Sequence, residues 1–392
     1  MKITSVDLFE LKFQYDDKDV ISDALSTSAG RQGLLIKISA DNGQYGVGEA
    51  WSYGNPTRVQ RAIIEDQLAP MLIGQDPTDI EQLFQTMYWR TIAHGRRGIE
   101  MGAISGVDIA LWDLLGKIAN LPIYKLLGGH SNVIPAYACG GFYAKDKGMD
   151  GLRNEIQGWI DDGYQVFKIK VGRNNDNGAL PIKYVANQAN SIGLDEDLKR
   201  VELLRQMVGD KKIIIDFNAS WDAMTMKLAA PRLQAARVDV IEEPFQFEDV
   251  QAYRELKQYL PNTQVMGFET EQNEFNFKHF IENGTVDIVE PDVGWCGGIS
   301  TVKKIAPVAE TNFKAVSMHS FGSAVHFAAS LQLAAAMPNV FPIESETNFN
   351  PLRSDILQSP FTTDEHMNFI LSDRPGLGID IDWDKVAKYQ KA

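Results

Sequence analysis

The sequence predicts an α/β protein built on an eight-stranded (β/α)8-type barrel, with a separate α+β segment ahead of it. Three observations carry that expectation. From residue 133 onward, eight short and nearly continuous apolar runs follow one another, as strands buried on both faces of a parallel sheet require. Helix-length amphipathic stretches separate them at intervals of roughly 25 residues. Seven of the eight runs end in ionisable residues, at the strand ends where such a barrel gathers its functional groups. A doubly wound open sheet is the alternative. It wants a Gly-rich phosphate turn after its first strand, and none is present; Gly46-Val47-Gly48 falls in a hairpin.

Taken in order, residues 2–15 read as a strand and 33–51 as a hairpin turning at Asp41-Asn42-Gly43. Helical patterns occupy 56–73, 77–91 and 98–119. In the last of these Ala103, Val107, Ala110, Leu111, Leu114 and Ile118 recur at helical spacing. Asn120-Leu121-Pro122 stops that helix, and Leu126-Leu127-Gly128-Gly129 marks a boundary loop. The barrel runs are 133–141, 164–172, 212–220, 238–245, 264–271, 285–294, 314–321 and 340–346. Between the second and third, the Asn-rich stretch 173–197 reads as a surface loop or an active-site flap. The tail carries a short alternating strand, GIDIDW, expected to return to the N-terminal segment. The expected divisions are 1–127, 128–350 and 351–392.

With 392 residues, 44% of them hydrophobic, the chain has material for two or three domains and a sizeable core. A net charge of −14 argues against nucleic acid and membrane surfaces as partners. Cys139 and Cys296 stand far apart in no metal-ligand spacing, which excludes a disulfide framework and predicts a cytoplasmic location. The start lacks the features of a signal peptide, and no apolar stretch reaches the ~18 residues of a membrane span.

The strand ends hold Lys168 and Lys170, Asp216 and Asn218, Glu242 and Glu243, Glu269 and Glu271, Asp292, His319, and Glu344 and Glu346. Singly, each has an ordinary explanation. A Lys-x-Lys pair is usually a solvated face, a strand histidine a core residue, and Glu-Glu-Pro a turn. Their spacing is less ordinary. Asp216 to Glu242 is 26 residues, then 27 to Glu269, 23 to Asp292 and 27 to His319, one strand–helix unit each time. Successive acidic strand ends with no lysine or arginine among them repel unless a cation lies between them. Oxygen-only donors point to Mg²⁺ or Mn²⁺ rather than zinc.

With Lys168-x-Lys170, Asp216-x-Asn218, Glu242-Glu243-Pro244, Asp292 in EPDVGWCGGIS, His319 and the helix GAISGVDIALWDLLGK, the chain resembles the enolase superfamily, mandelate racemase subgroup. The resemblance covers nearly the whole chain. It implies a (β/α)7β-type modified TIM barrel with an N-terminal α+β capping domain, and a homo-oligomer. It makes Asp216, Glu242 and Glu269 the ligands of Mg²⁺, with Lys170 as one acid/base and His319, oriented by Asp292, as the other. Lys168 would lower the Lys170 pKa or bind the substrate carboxylate, and Glu344, if protonated, would donate to an oxyanion. A Lys or His base beside Mg²⁺ is the known arrangement of enolase-superfamily sites. One departure is Phe268, which separates Gly267 from Glu269 where the family has glycine directly before its third ligand. Glu271 shares a face with Glu269 and is the alternative ligand, although the 23-residue step to Asp292 favours Glu269.

The implied reaction removes the proton α to a carboxylate. Asn218 and the polar stretches 16–30, 51–57 and 173–190 suit a polyhydroxylated acid. The expectation is therefore dehydration of a sugar acid to a 2-keto-3-deoxy acid. The runner-up is racemisation or epimerisation by the same Lys170–His319 pair, and a Schiff-base lyase through Lys170 is the more remote alternative.

Overall fold

In the computed structural model, residues 1–51, 53–54, 56–172 and 191–390 are described. The strand Ile3–Gln14 pairs antiparallel with Gly30–Ala40, Val6 opposite Ile38 and Leu8 opposite Ile36. Tyr45–Ala50 completes a three-stranded sheet, entered through a turn in which Gly43 takes φ 83°. The 56–73 pattern is one helical run, Thr57–Ile63 continuing through a π-helical turn at Ile64–Leu68 into Ala69–Leu72. The next two patterns are the helices Ile80–Gly95 and Ile99–Ala119.

Ile99–Ala119 is buried along nearly its whole length because it is enclosed from two sides, by the cap sheet and by the barrel helix Gly298–Thr311. The approach to the sheet is close enough to demand glycine. A Cβ at Gly48 would stand 2.0 Å from the Gly106 carbonyl oxygen. The helix stops where Asn120 turns left-handed, two residues before Pro122.

Eight parallel strands form the barrel: Ala136–Gly140, Val166–Lys170, Lys212–Asp216, Val240–Glu242, Gln264–Gly267, Ile288–Val289, Ala315–Val316 and Ile343–Glu346. The eighth pairs with the first, Glu344 opposite Tyr137, and a bridge between Val316 and Val340 closes the remaining seam. A helix of at least nine residues follows each of the first seven strands. Only the short Pro351–Ser354 helix follows the eighth, so the barrel is of the (β/α)7β kind. Register puts Lys170, Asp216 and Glu242 side by side on neighbouring strands.

The last segment ties back to both parts. Phe369–Ile370 pairs with Val133–Ile134, Gln390 bridges Leu11, and the Trp383 ring lies 4.9 Å from that of Phe9. GIDIDW is not the strand its alternation predicts. It makes one bridge, Leu357 to Ile381, because Asp382 then caps the helix Trp383–Tyr389 by accepting from the Lys385 amide. Residues 191–197 open the helix Ser191–Val208 instead of continuing a loop, while 173–190 lie outside the described residues.

The cap reaches over the barrel mouth at several points. Ile21–Ser22 pairs with Tyr143–Ala144, just beyond the first barrel strand. Buried Arg31 is hydrogen-bonded to Tyr15 and ion-paired with Glu346. Glu49 accepts from the amides of Ser323 and His326, where a negative charge complements the N-terminus of the helix Ala324–Ala336. Among the described residues no helix is long and apolar enough to cross a membrane.

Gly48→Ala is expected to destabilise the protein by at least about 3 kcal/mol, the upper end of ordinary overpacking, since its contact is backbone oxygen. A urea denaturation midpoint equal to that of the unsubstituted protein would contradict the close approach.

Candidate active site

The strand ends converge beneath the cap. Asp216, Glu242, Glu243, Glu269, Glu290, Asp292 and Glu344 are all buried there, with Lys168, Lys170 and His319 among them. The lysines are therefore not the solvated face that a Lys-x-Lys pair usually forms. Lys168 is fully buried, with Nζ 2.7 and 2.9 Å from the two Glu242 oxygens and 3.0 Å from Glu344 Oε1. Lys170 donates to Asp216 Oδ2, whose other oxygen accepts from the Asn218 amide at 2.9 Å.

Sharp backbone turns aim these groups. Asn218, Glu243 and Phe268, just past three successive strands, have φ of 42°, 41° and 75°. Non-glycine residues pay for that region, and such strain persists where surroundings over-determine it. At Phe268 the surroundings are identifiable. Its ring stacks on Phe280 at 3.9 Å, and its amide and that of Glu269 both donate to Glu243 Oε1. Glu243 thus holds the turn that presents Glu269. Glu271 points elsewhere and pairs with Arg97 at 3.5 Å.

Glu242, Glu269 and Glu290 each place an oxygen within 4.8 Å of the others. Glu290 is the member that strand-end reading missed. It stands two residues before Asp292 and so shares its side of the strand, a signal that was present but unused. Glu290 Oε1 accepts from Tyr137 at 2.9 Å, and Oε2 is buried without a hydrogen-bond partner. Glu269 Oε2 likewise has no hydrogen bond, only the ion-pair approach of His319 Nε2 at 3.3 Å. Burial pushes the carboxyls of Glu242, Glu243, Glu269 and Glu290 up, that of Glu269 to about 7. Such a cluster holds more negative charge than it can bear alone. Its oxygen-only donors and unpartnered oxygens fit a hard divalent cation.

The two acid/base candidates are charged as they stand. Burial works to lower the Lys170 pKa and Lys168 adds to that, yet Asp216 foremost, with Cys139 and Glu242, opposes them and the amine stays well above the usual lysine value. Lys168 thus acts in the expected direction, but it does not by itself free the Lys170 amine. Burial also opposes charge on His319, but Glu269, Glu344 and Asp292 raise its pKa to about 10. Its Nδ1 lies 2.7 Å from Asp292 Oδ2. Burial of Glu344 is overcome by Lys168 and His319, which hold its carboxyl well below the ordinary range. In this state Glu344 accepts, from the Ser320 amide at 2.9 Å, and does not donate as a protonated acid would.

A cavity of about 400 Å³ lies between cap and mouth. Lys170, Asn218, Glu269 and His319 line it from the barrel, and Asp23, Arg31, Trp51 and Tyr53 from the cap. The Tyr53 ring stacks over His319 at 5.9 Å, and its hydroxyl donates to the Glu269 carbonyl at 2.8 Å. Asp23, Trp51 and Tyr53 fall in the stretches 16–30 and 51–57 expected at the substrate, and Arg31 lies just outside them. His326 was missed for another reason. It sits in an apolar helix and reads as core, yet its Nε2 is 2.7 Å from Asp292 Oδ1.

Fold and site together define a class: capped (β/α)7β barrel enzymes with a carboxylate cluster, a lysine pair and an Asp–His pair at the strand ends. The chain belongs to the enolase superfamily. Residues 151–385 match its enolase C-terminal domain-like family, and 16–128 match the mandelate racemase / muconate lactonizing enzyme N-terminal domain. Arabinonate dehydratase of Saccharolobus solfataricus is 33% identical over 89% of this chain and 88% of that protein. D-galactarolactone cycloisomerase of Agrobacterium fabrum is 31% identical over 100% of this chain and 99% of its own. Among solved structures, the 3,6-anhydro-D-galactonate cycloisomerase from Zobellia galactanivorans superposes with a TM-score of 0.84 at 29% identity, covering 100% of both chains.

Glu242→Gln is expected to weaken binding of a divalent cation by at least about tenfold, or about 1.4 kcal/mol, while Glu271→Gln leaves it unchanged. Calorimetric titration with Mg²⁺ reads both. Equal affinities for the two variants would separate Glu242 from the cation site.

Proposed function

We propose that the chain dehydrates a sugar acid: it removes the proton α to the carboxylate and expels the β-hydroxyl, giving a 2-keto-3-deoxy acid. The observation that carries this reading is that Lys170 and His319 line one cavity beside a carboxylate cluster, entering it from the second and seventh barrel strands. The Saccharolobus solfataricus relative is a dehydratase of this substrate class, and an L-rhamnonate dehydratase from Saccharopolyspora erythraea is 31% identical over 75% of the chain.

Asp216, Glu242 and Glu269 would hold Mg²⁺, with Glu290 as a fourth carboxylate at the same place. When bound, the ion supplies positive charge against the substrate carboxylate, as a Lewis acid, and takes up the Asp216 charge that now holds Lys170 protonated. Neutral Lys170 accepts the α-proton at Nζ. The electron pair of the broken Cα–H bond forms the Cα=Cβ bond as the Cβ–O bond breaks. His319 delivers its Nε2 proton to the departing hydroxyl, which leaves as water, and the enol tautomerises to the ketone. Asp292 keeps Nδ1 occupied so that Nε2 faces the cavity. Lys168, paired with Glu242 and Glu344, offers charge to the substrate carboxylate, while Asn218 and the polar cap residues meet its hydroxyls.

Lys170→Ala and His319→Asn are each expected to lower kcat for dehydration by about 10²–10⁴-fold, the usual worth of a positioned acid or base. The assay screens aldonates and aldarates with Mg²⁺ for 2-keto acid. Solvent deuterium entering the α-position with no keto acid formed would instead favour racemisation by the same pair. Activity retained in EDTA together with borohydride trapping would refute the metal-dependent reading in favour of a Schiff base.

A further inference from the structure

One buried imidazole touches the Asp292–His319 pair without any part in the chemistry above. His326 is fully buried on the helix Ala324–Ala336, and its Nε2 meets Asp292 Oδ1 at 2.7 Å. That is the oxygen His319 does not use. The Gly294 amide donates to the same atom at 2.8 Å. On its other side His326 Nδ1 lies 3.2 Å from Ser320 Oγ, which is 3.4 Å from the Arg353 guanidinium. The site is also shaped around the ring. A Cβ at Gly294 would stand 2.6 Å from His326 Cδ2, and one at Gly322 2.7 Å from its Cβ.

The polarity of this chain of bonds can be worked out from its carboxylate end. Asp292 Oδ1 can only accept, so the His326 ring carries its proton on Nε2. With that proton on Nε2 the ring accepts at Nδ1 from Ser320 Oγ, while the Arg353 guanidinium donates chiefly to the Ser320 carbonyl at 2.7 Å. A carboxylate only accepts, so Asp292 receives from Gly294 and His326 on Oδ1 and from His319 on Oδ2. Its plane is then fixed by contacts on both oxygens.

We propose that His326 is a positioning residue. By holding Oδ1 of Asp292 it fixes the orientation in which Oδ2 receives the Nδ1 proton of His319, and so aims His319 Nε2 into the cavity. A buried histidine with a merely structural role needs an acceptor, but it does not need the carboxylate that orients the catalytic imidazole. The helix carrying His326 is seated by Glu49 of the cap, so the aim of His319 depends on cap and barrel together. This inference rests on His319 being the proton donor of the proposed reaction.

The test compares His326→Leu, which removes the donor, with His326→Gln, whose amide places an N–H where Nε2 stood. His326→Leu is expected to lower kcat for dehydration by about 10–100-fold, as loss of a group that orients a reacting ligand does, with KM changed less than about threefold. His326→Gln is expected to recover most of that loss. A second readout does not need turnover: the low-field proton resonance of His319 Nδ1–H, assigned by its disappearance in His319→Asn. It should move in His326→Leu and return in His326→Gln. An unchanged resonance in folded His326→Leu overturns the proposal, whatever the activity shows. A moved resonance in a protein that dehydrates no acid upholds the positioning role and fails the dehydratase reading alone. Should His326→Leu not fold, Ser320→Ala, which removes the partner of Nδ1, must displace the same resonance; if it does not, the proposal falls.

Discussion

Seven carboxylates share one end of the barrel with almost no access to water, against two lysines and His319. Removing so much negative charge from solvent is costly, and the arrangement of the site can be read as the ways in which that cost is offset. Lys168 is spread over Glu242 and Glu344, Lys170 is held by Asp216, and Asp292 is closed off by two imidazoles. Glu243 is turned toward backbone amides. Compensation is still incomplete: Glu243, Glu269, Glu290 and Glu344 each keep one buried oxygen that makes no hydrogen bond.

The same electrostatics explains why the cap is indispensable to the site. A barrel mouth open to water would solvate its carboxylates and lose the low-dielectric setting that makes their interactions strong. Here Tyr53 covers His319 and bonds the Glu269 carbonyl, Trp51 lines the same cavity, and buried Arg31 answers Glu346 from across the joint. Glu49 anchors the helix that bears His326. The cap therefore helps to position groups on the barrel as well as walling the cavity.

Relatives of this chain include dehydratases and cycloisomerases at about 30% identity. One fold carries several such activities, because function is set by the groups placed on it rather than by the fold itself. In this chain two features close to the centre lie within the barrel: Phe268 stands directly before Glu269, and Glu290 joins Glu242 and Glu269.

Much of the fold and of the site was legible in residue order. Eight apolar runs became eight strands, and groups one strand–helix unit apart became neighbours, because a parallel barrel repeats its geometry with every unit. Local pattern failed where context overrode it: GIDIDW alternates like a strand but finds no strand to pair with, and Asp382 turns it into a helix. The protonation of Lys170 and Glu344 was beyond the sequence as well, since it depends on which charges lie within a few ångströms after folding. The second histidine on Asp292 and the arginine beneath the cap were beyond it for the same reason. Periodicity along the chain determined which residues face the mouth; only packing between distant segments decided what each of them touches there, because contacts between separate elements have no fixed spacing in sequence.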